Sequence, residues 1–107
     1  MLSTPLQTIT FFQRFESDIL AGKKTITLRD ASESHFYAGQ VVKVANLETG
    51  HCYAELEITS VGWVDFDDLN PLHAQQENMS LAALKSLIRT IYPGIQQLYQ
   101  INFIRRN

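Results

Sequence analysis

Two closely spaced runs constrain the fold of this 107-residue chain more than any other feature. Residues 41–47 and 53–61 both read as strands, and only the turn Glu48-Thr49-Gly50 with His51 and Cys52 falls between them. In the second run Ala54, Leu56 and Ile58 alternate with Glu55, Glu57 and Thr59, a period of two that places apolar side chains on one face. So short a link cannot carry a parallel crossover, which needs a dozen residues or more, so the two runs must pair as an antiparallel hairpin. A lone hairpin is marginal in water, and the rest of the chain has to cover its apolar face.

The flanking segments supply that cover. Thr10 and Gln13 match a capping box, Thr-x-x-Gln, and Phe12, Phe15 and Ile19 follow at helical spacing with Leu20 beside them. A helix is therefore expected as the first element, stopped by Gly22 at the position after the helix where φ is positive. Thr25 to Arg29 then alternates as a short strand, with Ile26 and Leu28 on one face and Thr25, Thr27 and Arg29 on the other. Asn70-Pro71 opens a short helix running from Leu72 to Glu77. A second helix starts near Ser80 with the stripe Leu81, Leu84, Ile88 and Ile91, and Tyr92-Pro93-Gly94 ends it. A last strand covers 98–104. Strands this close together predict an α+β fold with a mostly antiparallel curved sheet or small barrel, a parallel crossover having room only around the 70–94 helical insert.

Composition narrows the class. One core serves a chain of this length, and 45% hydrophobic residues can build it without staples. A single domain spanning 1–107 is expected. Cys52 is the lone cysteine, so no intrachain disulfide forms and a reducing, cytoplasmic setting is expected. Met1 to Thr10 has neither a basic start nor a continuous apolar core, unlike a signal peptide, and no apolar run approaches the ~20 residues of a membrane span. The net charge is −2, from nine Lys and Arg against eleven Asp and Glu. Nucleic-acid binders usually carry a basic footprint, so a nucleoside-sized ligand is favoured over a stable RNA complex.

The chemistry-bearing candidates cluster at the first strand. Thr27 is a possible nucleophile if a base takes its proton. Lys24, three residues earlier at the bend between helix and strand, is a possible base if burial or the neighbouring Arg29 lowers its pKa. Glu77 is a second candidate at a helix end. The simpler reading makes Lys24 and Arg29 solvated charges flanking a strand, and Glu77 a surface carboxylate. His73 and Glu77 have metal-ligand spacing but lack a third ligand, so no metal or other cofactor is expected. His35 and His51 fall in loops, Cys52 reads as a small core filler, and Trp63, Tyr53 and Tyr99 read as core residues that could otherwise stack on a base.

The run Gly22-Lys23-Lys24-Thr25-Ile26-Thr27-Leu28-Arg29 resembles the Gly-x-Lys-x-x-x-x-Arg signature of ASCH domains. With Phe11-Phe12-Gln13-Arg14-Phe15, Ser32-Glu33-Ser34-His35-Phe36, His73-Ala74-Gln75-Gln76-Glu77-Asn78-Met79 and Ile91-Tyr92-Pro93-Gly94, nearly the whole chain is similar to the bacterial N(4)-acetylcytidine amidohydrolase family. The resemblance implies a PUA-like small β-barrel with flanking helices, catalytic residues at Lys24, Thr27 and Glu77, and removal of the acetyl group from N(4)-acetylcytidine. On that reading Arg29 supports the site or pairs with Glu77, and Ser34 and His35 are candidates for contact with the ribose or base. The same scaffold leaves two other functions open, an RNA-binding module and a ribonuclease using Lys24 and Glu77 as acid and base.

Overall fold

The computed structural model describes residues 6–106 of the chain. The start of the N-terminal reading and both ends of the expected 1–107 domain lie outside these residues. Five strands form one sheet: β1 (Thr8–Phe11), β2 (Ile26–Arg29), β3 (Val41–Asn46), β4 (Cys52–Asp65) and β5 (Gln97–Arg105). Three helices accompany them: α1 (Glu16–Leu20), α2 (Pro71–Gln76) and α3 (Leu81–Ile91). The strand order is β1-β3-β4-β5-β2.

The expected hairpin is present. β3 and β4 pair antiparallel, with Val42 opposite Leu56 and Val44 opposite Ala54. β4 runs on past residue 61 to Asp65 and pairs along its length with β5. The 70–94 insert joins these two antiparallel strands, so it is not a parallel crossover. The parallel pair is instead β1 with β3, Ile9 lying opposite Val44. The first described element is likewise a strand and not a helix. Thr10 does not cap: it sits in β1, and Phe12 precedes a 3₁₀ turn (Gln13–Phe15) with no side-chain cap. Alternation in Thr8-Ile9-Thr10-Phe11, with Ile9 and Phe11 buried, won over the capping pattern because the main chain gains a ladder against β3.

Two cores lie on opposite faces of β5 and β2. Ile101 and Phe103 point to one, with Ile9, Phe11, Val42, Val44, Leu56 and Ile58. Leu98, Ile26 and Leu28 point to the other, which Leu84 and Ile88 of α3 and Ala74 of α2 cover. Leu98 is completely buried. Leu98→Ala should therefore cost about 2–5 kcal/mol, read as a lower urea midpoint at unchanged slope.

The sheet is not closed, in contrast to the expected barrel. Its edge strands, β1 and β2, do not pair with each other. A side chain spans the seam instead: Arg29 Nη2 of β2 donates to the Thr10 carbonyl of β1 at 2.7 Å. Polar and charged groups that a closed ladder would exclude are gathered there.

Among the other expectations, Cys52 is exposed and is not a core filler. Tyr99 is buried, its hydroxyl donating to the Phe36 carbonyl, and Tyr53 is half-buried. Trp63 is 49% exposed and packs on Tyr99 with ring centroids 5.0 Å apart, so it is not a core residue. Among the described residues no helix is long and apolar enough to cross a membrane.

Candidate active site at the open seam

Two helix ends build the site. α1 finishes in a Schellman turn: Gly22 at φ +73° donates to Ile19, and Lys23 donates to the Asp18 carbonyl. This returns the chain sharply and delivers Lys24 just before β2. α2 begins as expected, with Asn70 accepting from Leu72, Pro71 in the first turn, and the His73 ring nitrogen accepting from the Asn70 N–H. Its C-terminus is also a Schellman turn, with Asn78 in the left-handed region at φ +58°, Asn78 donating to Gln75 and Met79 to Ala74. Glu77 is the capping residue of that turn.

The two ends are stapled together. The Thr25 N–H donates to the Gln76 carbonyl at 2.8 Å, and Asn78 Nδ2 donates to Asp18 Oδ1 at 3.1 Å. Lys24 and Glu77, 53 positions apart in the chain, are thereby brought into a buried ion pair through Nζ and Oε1. Each residue is only 4% exposed, so neither is the surface charge that the simpler reading assigned to it. His73 faces its own helix cap and Glu77 faces Lys24.

Thr27 and Arg29 are also buried. They lie on the same face of β2, opposite Ile101 and Tyr99 of β5. Arg29 Nε donates to Thr27 Oγ1 at 2.7 Å. Its Nη1 forks onto both Glu33 oxygens at 3.0 and 2.8 Å, so Arg29 pairs with Glu33 and not with Glu77. In the sequence Glu33 stands only within the Ser32–Phe36 motif, because on an extended strand a residue four positions on is out of reach of Arg29 and only the turn after β2 brings it back.

Lys24 Nζ lies 4.8 Å from the centre of the Phe15 ring and 5.6 Å from that of Phe11. Burial pushes its amine from the ordinary lysine value down to about 7, the Arg29 guanidinium presses in the same direction, and Asp18 opposes both. An ionised Glu77 in contact also favours the charged amine.

Lys24, Thr27, Arg29, Glu33 and Glu77 all line one cavity of about 220 Å³. That is below the ~300–1,000 Å³ of sites for drug-sized molecules, which suits a small ligand held at a few polar groups. Its apolar walls come from Phe11, Phe12 and Phe15 on one side and from Leu84, Ile88 and Tyr92 on the other. These rings, and not Trp63, Tyr53 or Tyr99, are the aromatic residues that line the cavity. Ser34 and His35 do not line the cavity. Both are exposed, the Ser34 hydroxyl donating to Ala31 and the His35 ring lying against Phe36. The arrangement offers a hydroxyl, an amine depressed toward neutrality and a carboxyl group in a cavity with apolar walls, the parts needed for nucleophilic acyl transfer.

No family model matches the sequence. Curated relatives do. The N(4)-acetylcytidine amidohydrolase of Vibrio vulnificus (strain YJ016) is 56% identical over 97 residues, covering 91% of this chain and 93% of that protein. The protein of the same name from Serratia proteamaculans (strain 568) is 54% identical over 98 residues, covering 92% and 96%. Among solved structures, the ASCH domain from Lactobacillus crispatus matches with a TM-score of 0.76 at 19% identity, over 92% of this chain and 79% of that one. An ASCH protein from Zymomonas mobilis matches with a TM-score of 0.68 at 13% identity, over 90% and 64%. The fold is that of ASCH domains.

Proposed function

Because the chain belongs to the N(4)-acetylcytidine amidohydrolase family, we propose that it hydrolyses the amide joining an acetyl group to the exocyclic nitrogen of N(4)-acetylcytidine, giving cytidine and acetate. The observation that carries this reading is the buried Lys24–Glu77 pair opening onto the same small cavity as Thr27. A single ASCH domain working in the cytoplasm without a cofactor is part of the same proposal, as is a nucleoside in place of a stably bound RNA.

In this mechanism Lys24, as the neutral amine, takes the Thr27 proton, and Oγ1 attacks the acetyl carbon. The carbonyl π electrons move onto oxygen, giving a tetrahedral oxyanion. Its collapse breaks the C–N bond, and Glu77 relays a proton to the departing cytosine nitrogen. Water then attacks the acetyl ester on Thr27, with the Lys24–Glu77 pair accepting its proton; the bond from the acetyl carbon to Oγ1 breaks, acetate leaves, and the pair returns the proton to Thr27 Oγ1. The low-dielectric walls strengthen each of these charge interactions. Arg29 donates to Thr27 Oγ1, and so stabilises negative charge as it builds on that atom. Hydrogen bonds between such groups often close fully only around substrate.

The proposal gives a pH dependence with a definite sign. The base must be deprotonated, and its amine is held at about 7. kcat/KM should therefore be low in acid, rise as pH passes through about 7, and level off above it. A profile flat across that range would remove Lys24 as the base.

The direct test incubates the pure protein with N(4)-acetylcytidine and, separately, with structured RNA. Cytidine and acetate in the first tube with intact RNA in the second is the expected result. RNA fragments with untouched nucleoside would overturn it in favour of a ribonuclease.

A further inference from the structure

The reaction as drawn depends on where the Thr27 proton points, and the geometry behind that depends on a residue two steps removed. Arg29 is held at three points: Nε on Thr27 Oγ1, Nη1 on both Glu33 oxygens, and Nη2 on the Thr10 carbonyl. A guanidinium is planar and rigid, so fixing Nη1 and Nη2 fixes the direction of Nε–H. It also has no acceptor. Thr27 Oγ1 must therefore receive from Arg29 and send its own proton elsewhere, and the cavity holding Lys24 and Glu77 is where a base stands.

Glu33 reaches Arg29 because the chain turns back immediately after β2. The Asp30 side chain accepts from the Ser32 N–H at 3.1 Å, and the Glu33 N–H donates to the Asp30 carbonyl at 3.1 Å. This 3₁₀ turn (Ala31–Glu33) brings a residue four positions on alongside the strand it has just left. The carboxylate is 30% accessible whereas the guanidinium is 10% accessible. A pair whose carboxylate is open to water on one side loses part of its strength to solvent screening. Its placement in the cavity wall, two bonds of contact from Thr27, is better suited to orientation.

We propose that Glu33 is a positioning residue for the hydrolysis, holding the Arg29 fork so that Nε–H stays on Thr27 Oγ1. This rests on Thr27 being the nucleophile. If Glu33 only balanced the buried guanidinium charge, its loss would lower the yield or melting temperature of folded protein and leave the turnover of each folded molecule alone.

The test compares wild type, Glu33→Gln and Glu33→Asp. Glu33→Gln keeps the shape but surrenders one acceptor and the charge; Glu33→Asp keeps the charge with a shorter reach. With N(4)-acetylcytidine, kcat of Glu33→Gln should fall about tenfold to a hundredfold, the scale of a misplaced reacting group, with KM within about twofold and part of the rate recovered in Glu33→Asp. Solvent exchange of the Arg29 Nε–H, followed by nitrogen-15 NMR, should be slow in wild type and clearly faster in Glu33→Gln. A folded Glu33→Gln with wild-type kcat would overturn the proposal. So would Nε–H exchange as slow as in wild type. Wild-type protein inert toward N(4)-acetylcytidine would sink the substrate reading instead, and the exchange measurement would still decide whether Glu33 holds the Arg29 fork on Thr27.

Discussion

Thr27→Ala should lose at least about 10³-fold in kcat toward N(4)-acetylcytidine while remaining folded, because it removes the atom that forms the new bond. The variant leaves Arg29 Nε–H without its acceptor in a buried setting, a cost of roughly 1–3 kcal/mol that the fold should tolerate. Thr27→Ser, which keeps the hydroxyl, should retain a measurable part of the rate. Steady-state assay of cytidine release checks both. Alanine and serine variants that lose activity equally would mean that the hydroxyl is not what matters at this position.

The second large effect lies at the ion pair. Lys24→Met should also cost at least about 10³-fold in kcat, by removing the base, and in addition should destabilise the protein by about 3–5 kcal/mol. The stability loss arises because Glu77, 4% exposed, is left buried with no cation in contact. The double variant Lys24→Met, Glu77→Leu separates the two roles. Replacing both charges with apolar groups should restore most of the stability and none of the activity. Chemical denaturation and activity on the same three proteins measure it. A double variant as unstable as the single one would show that the pair is needed for the fold itself.

Particular residues show how far the sequence could be read. The β3–β4 hairpin was legible because its turn and alternation leave no alternative pairing. The Gly22 stop and the Asn70-Pro71 start were legible because each is a local conformational requirement met by the residue present. β1 was not, since four residues of alternation can be outbid on paper by a nearby capping pattern, and only pairing with β3, more than 30 positions away, decides between them. Closure of the sheet was equally beyond a local reading. Whether β1 and β2 pair depends on what fills the seam, and there the side chain of Arg29 reaches the main chain of Thr10.

The candidate site divides in the same way. Spacing alone placed Thr27 and Arg29 on one face of a short strand, as they are. It could not bring Glu77 to Lys24, because that meeting is made by Thr25 bonding Gln76 and Asn78 bonding Asp18 across two helix ends. Family resemblance supplied the association, and the paired Schellman turns supply its physical cause. Ser34 and His35, expected near the ligand, lie beyond the turn that sends Glu33 inward. By spacing Phe15 belongs to a helix stripe and Tyr92 to a helix end, and both stand in the cavity wall.

The account stands most directly on one measurement: mass spectrometry of the protein quenched in acid during a single turnover of N(4)-acetylcytidine. It predicts a transient acetyl group on the peptide carrying Thr27, appearing as cytidine is released and decaying as acetate forms. Acetate and cytidine released together, with Thr27 never acetylated at any time point while substrate is consumed, would contradict it and make water the attacking group.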